Sequence, residues 1–112
     1  LYRLGAPTNT AKLLDKILRE QGAIIAQAMQ LLDHTRANVD SIRQSAQELH
    51  RLENEADDAL TISLAALYEG VTEVPALIQA LRWGELYQLL EDATDRGEDI
   101  ADTLQGILLK YA

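Results

Sequence analysis

The sequence predicts an all-α protein: an antiparallel three-helix bundle with a short extra helix ahead of the last long one. Three observations carry this. The 112 residues are 47% hydrophobic and 25% charged, with no Phe and no Cys, so the core must be aliphatic and built from helix-favouring Leu, Ile and Ala. Apolar residues recur at spacings of three and four along three long runs, and no stretch shows the alternation of a strand. Short polar or proline-bearing segments separate the runs, which makes up-down-up packing the economical arrangement. The length fits a single domain spanning residues 1–112.

Leu1 to Pro7 reads as irregular, and Pro7-Thr8-Asn9-Thr10 offers a proline and three N-caps for a first helix from about Thr10 to Leu32. Leu14, Ile17, Leu18, Ile24, Ile25, Ala28, Leu31 and Leu32 give that helix one wide apolar face. Asp33-His34-Thr35-Arg36 is the predicted turn, with Thr35 or Asn38 capping the next helix. The second helix is expected from about Asn38 to Tyr68, stopped by Gly70. Val71 to Pro75 is the predicted connector. A short helix around Ala76 to Leu81 should close near Trp83-Gly84, because its apolar face is out of phase with that of the last helix. The last helix runs from about Glu85 to Tyr111, with Leu86, Leu89, Leu90, Ala93, Ile100, Leu104, Ile107 and Leu108 facing inward and Gly97 at a close approach.

The formal net charge is −8, unevenly spread. Residues 1–47 hold six basic and four acidic groups, whereas residues 48–102 hold three basic against fourteen acidic. Such an acidic half argues against nucleic acid, whose phosphates call for clustered Lys and Arg, and favours multivalent cations or basic partners. No apolar run reaches the ~20 residues that span a bilayer, and no secretory leader pattern is present. The chain opens on Leu1 rather than Met, and we read it as part of a longer protein. The first helix, apolar over a broad face, predicts self-association into a dimer or other homo-oligomer.

The candidate site lies in the acidic half. With Glu53 as zero on a helical wheel, Ile42, Ala46, Leu49, Leu60, Leu64 and Leu67 fall within about 40° of it and Asp57 lies at about 40°. Two carboxylates thus sit in an apolar seam, which is costly unless a cation or hydrogen-bond partner compensates. His50 lies on the same side. On the last helix Glu91, Asp95, Glu98 and Asp102 form a stripe within about 60°, without a Lys at i,i+4 to relieve it. In an antiparallel arrangement the two clusters should meet. The opposing readings are carboxylates at the seam's edge paired with Arg51, Arg96 or backbone, a surface His50, and a solvated acidic stripe. An oxygen-rich donor set with one imidazole suits Mg, Mn, Ca or Fe, and Zn if His50 takes part. The Glu-x-x-His pairs of di-iron bundles are missing; only His50-x-x-Glu53 occurs, reversed. No Ser/His/Asp set or glycine-rich phosphate loop is present.

These segments resemble the PhoU-like family of phosphate transport regulators, accessory proteins of Pit-type phosphate permeases. The resemblance rests on His50-Arg-Leu-Glu-Asn-Glu-Ala-Asp57, Leu81-Arg-Trp-Gly-Glu-Leu-Tyr87, Leu90-Glu-Asp-Ala-Thr-Asp-Arg-Gly-Glu-Asp-Ile-Ala-Asp102 and Gly106-Ile-Leu-Leu-Lys-Tyr111. It covers the chain from about Asp40 onward, and the first helix fits by pattern only. It implies the second of two tandem three-helix units and metal bound at Glu53-x-x-x-Asp57 and Glu91-x-x-x-Asp95, with multinuclear iron or zinc as the family's metals. It further implies no catalysis, and a cytoplasmic regulator at the inner face of the membrane, working with a Pit-type transporter. Two other readings compete. One is a Mg-dependent MazG-like nucleotide pyrophosphohydrolase, for which Glu55-x-x-Asp58 fits while Glu53-x-x-Ala56 and Glu98-x-x-Ala101 do not. The other is a purely structural acidic module.

Overall fold

A computed structural model describes residues 8–111; the expectation for Leu1 to Pro7 lies outside them. All secondary structure among the described residues is helical. Helix α1 spans Asn9–Leu31, a 3-10 segment occupies Leu32–Asn38, α2 spans Val39–Leu67 and α3 spans Val74–Leu109. The 36 residues of α3, at about 1.5 Å each, account for most of the molecule's 59 Å length.

The ends of the helices are set by local chemistry. Thr8 is the N-cap of α1, its Oγ1 accepting the Ala11 N–H at 3.1 Å. The expected caps of α2 act instead on the end of α1: Thr35 Oγ1 donates to the Leu32 carbonyl and Asn38 Nδ2 to the Leu31 carbonyl. They satisfy carbonyls that the helix end leaves orphaned, and His34 makes the kink between the two helices at φ −134°, ψ 64°. Gly70 adopts φ +69° just past α2, the left-handed conformation that glycine tolerates best. Pro75 lies in the first turn of α3, where its missing N–H costs nothing, and not in the connector.

The break expected near Trp83-Gly84 does not occur, and α3 is continuous. Its buried residues Ala80, Trp83, Tyr87, Thr94, Gly97, Ala101, Leu104 and Leu108, together with half-buried Leu90, alternate in steps of three and four without interruption. The out-of-phase residues Val74, Leu77 and Leu81 are exposed and mark no boundary. Gly84 serves packing: a Cβ there would stand 3.3 Å from the Tyr68 hydroxyl and 3.5 Å from Leu67 Cδ2.

Cross-helix bonds give the directions. Thr10 bonds Ser63 near the far end of α2, while Thr8 Oγ1 meets Tyr87 Oη at 2.7 Å and Gln21 Nε2 donates to the Thr94 carbonyl at 3.1 Å. Hence α1 and α3 run the same way and α2 runs against them. Two apolar clusters form the core. Leu14, Ile17, Leu52, Ala56, Leu60, Trp83 and Tyr87 make one, and Ala28, Ile42, Ala46, Leu49, Ala101, Leu104 and Leu108 make the other. Each of the fully buried Leu and Ile side chains contributes about 1.5–3 kcal/mol. The broad apolar face of α1 is largely consumed within the chain: Leu14, Ile17 and Ala28 are buried, and Leu13, Leu18, Ile24 and Ile25 are half-buried. Of the exposed large hydrophobic residues among those described, only Met29 belongs to α1, so that helix supplies no reason for self-association.

Candidate metal centre

Between the two apolar clusters the seam turns polar. Gln21 of α1, Glu53 of α2, and Thr94 and Gly97 of α3 all occupy buried positions on the same three-and-four spacing as the surrounding Leu and Ile. Glu53 is only 5% exposed, which excludes the edge position. One turn along α2 stands Asp57, half-buried, and across the seam stands Asp95, exposed. One carboxylate oxygen from each of Glu53, Asp57 and Asp95 can be chosen so that all three lie within 4.8 Å of one another. Three acidic groups from two helices thus converge on one point, the spacing at which hard-cation ligands sit around an ion.

No Lys or Arg among the described residues pairs with them. Arg51 faces away from the seam and bridges Glu48 and Glu55, and Arg82 pairs with Glu85. Without a counter-charge, burial pushes the Glu53 carboxyl up to about 8, with Asp57, Glu98 and Asp95 adding to the effect. Burial also raises the Glu91 carboxyl, as do Asp57 and Asp95, against a Gln88 amide bond at 2.9 Å that lowers it. Glu91 and Glu98 are half-buried and flank the central three. The stripe on α3 is thus not wholly a solvated face: Asp95 and Glu98 act electrostatically on Glu53, and Asp57 acts on Glu91.

The remaining candidates lie farther along. His50, half-buried, places Nε2 3.4 Å from Asp102 Oδ1, and this pair is separate from the group of three acids. Glu55 and Asp58, which the pyrophosphohydrolase pattern would use, are exposed, and Glu55 is bonded to Arg51.

Sequence reasoning missed Gln21 and Thr94. The signal was present in Ile17-Gln21-Ile24-Ala28 and Leu90-Thr94-Gly97-Ala101, where polar or small residues stand at seam positions. Reading apolar residues alone passes over them. Ser45, Leu52 and Ala56 of α2 were missed as well; Leu52 and Ala56 share a cluster with Leu14 and Ile17 of α1.

No helix among the described residues is long and apolar enough to cross a membrane. No protein-family model, curated protein or solved structure matches the chain.

Proposed function

We propose that the chain is a PhoU-like three-helix bundle, a non-enzymatic accessory of phosphate transport that holds metal through Glu53, Asp57 and Asp95. The observation that carries the metal part is the meeting of these acids around a buried Glu53 that no Lys or Arg among the described residues pairs with. Ionised carboxylates buried together repel, and a divalent or trivalent cation turns that repulsion into coordination. Glu91 and Glu98 would extend the donor set toward a second ion, which fits the multinuclear iron or zinc of the resembled family; Mg, Mn and Ca suit the same oxygens. His50 and Asp102 would belong to an outlying position.

The transport part rests on the resemblance of His50–Asp57 and of Leu90–Asp102 to the PhoU-like motifs, and it makes the partner a Pit-type permease approached from the cytoplasm. An acidic surface with few free arginines suits phosphate poorly on its own, so in this reading phosphate is recognised through bound metal. The absence of catalysis is part of the same proposal; the exposed placement of Glu55 and Asp58 bears only on the pyrophosphohydrolase pattern, which would use them.

Elemental analysis of protein purified without an affinity tag, followed by reconstitution with ferrous iron, zinc, manganese, magnesium and calcium, tests the proposal. We expect at least one ion per chain, lost in the double variant Glu53→Ala, Asp57→Ala while its far-UV circular dichroism is retained. Full stoichiometry in that variant would refute the site. Absence of metal under every condition would leave a structural acidic module, and Mg-dependent nucleotide turnover would establish the enzyme instead. Phosphate binding that requires the bound metal is the expected sign of the transport role.

A further inference from the structure

We propose, resting on the reading of Glu53, Asp57 and Asp95 as a metal site, that Gln21 is a positioning residue for these acids. Seated in the notch left by Gly97 and bonded to the Thr94 carbonyl, its carboxamide fixes the height and rotation at which α3 presents Asp95 to Glu53 and Asp57. Gln21 is 3% exposed and Thr94 is fully buried, at the level where the two apolar clusters divide. Apolar side chains tolerate a slide of one helix along another, since any apolar neighbour will serve. A buried amide does not, because its donor is satisfied at one height only; a single polar residue in a heptad seam specifies register for this reason.

The notch makes the fit specific. A Cβ on Gly97 would overlap Gln21 Nε2 and crowd Cδ, so any side chain at 97 displaces the amide from its present seat against α3. The bonds continue toward the acids. Gln21 Nε2 donates to the carbonyl of Thr94, the residue before Asp95, and Thr94 Oγ1 donates to the carbonyl of Glu91 at 2.9 Å. Residues 94 and 97 meet α1, while 91, 95 and 98 stand one step round the same helix toward α2. On a rigid helix, the rotation set by the first pair sets the second group. Groups that orient ligands in this way alter metal affinity about 10–100-fold when removed.

The chain has no Cys, so a pair of spin labels at exposed Gln47 of α2 and Asp92 of α3 reports the relative height of the two helices without interference. Two variants are compared with the labelled parent: Gln21→Met, which keeps length and removes the donor, and Gly97→Ala, which fills the notch. Both are expected to shift the metal-free label distance by about 1 Å or more, the scale of backbone movement that relieves an overpacked contact. Both should also weaken Mn²⁺ binding about tenfold or more at a temperature where circular dichroism shows them folded. Should Gly97→Ala fail to fold, Gln21→Met decides, being close to isosteric. An unchanged distance in Gln21→Met overturns the proposal, and so does a shifted distance with unchanged Mn²⁺ affinity. If the parent takes up neither Mn²⁺ nor iron, zinc, magnesium or calcium, the metal reading fails by itself and the label distance alone decides on Gln21.

Discussion

Glu53→Gln isolates what it costs to hold a carboxyl in this core. In the metal-free protein burial, then Asp57, Glu98 and Asp95, raise the Glu53 carboxyl from 4.5 to about 8. The folded state therefore binds a proton that the unfolded chain gives up. The stabilising contribution is fully present below about pH 4.5 and is lost as the pH rises through about 8. A shift of that size corresponds to at most about 5 kcal/mol. Water entering beside the exposed Asp95 and half-buried Asp57 lessens both the burial cost at Glu53 and the repulsion, and reduces the figure to about 2 kcal/mol. For a chain of this length that is about 8 °C in melting temperature. Glutamine keeps the shape and removes the titration. The quantity to measure is the melting temperature of Glu53→Gln minus that of the parent, in chelator, from pH 4.5 to 8.5. It should climb by about 8 °C across that range, because only the parent must ionise a buried group. Taking the difference cancels the carboxylates that do not interact with Glu53. Two parallel profiles would refute the reasoning, since Glu53 would then titrate as it does in the unfolded chain.

Divalent cations should restore the parent's stability above pH 7 by about 2.7 kcal/mol at a hundredfold excess over Kd and leave Glu53→Gln with a smaller gain; equal stabilisation by monovalent salt of matched ionic strength would mean screening alone. Leu49→Ala, which empties a fully buried position shared by α2 and α3, should cost about 2–5 kcal/mol in urea unfolding. Thr8→Ala removes both the cap on Ala11 N–H and the contact with the Tyr87 hydroxyl, and should lower stability by about 1–2 kcal/mol with the loss seen first as faster amide exchange in the opening turn of α1.

Helix content, the acidic asymmetry and the oddity of Glu53 were all legible in the residues themselves, because each depends on spacing along one chain. Apolar steps of three and four place α1 and α2 within one or two residues of their observed ends, and Glu53 stands out because its neighbours on the wheel are Leu and Ile. Local caps and phases were less reliable guides. Thr35 and Asn38 had two helix ends within reach, and only the kink at His34 settles which carbonyls they take. The apparent break at Gly84 came from exposed Leu77 and Leu81; the true seam of α3 passes through Thr94 and Gly97, which no hydrophobicity pattern marks. What tertiary structure alone decided is the pairing. It chose Asp95 from four similar acids to join Glu53 and Asp57, and it sent Arg51 outward to Glu48 and Glu55. It also buried Gln21 where Gly97 leaves room. The reason is physical: a helical repeat fixes angle within each helix, whereas height between helices is fixed by contacts among residues far apart in sequence, and which acids meet depends on height.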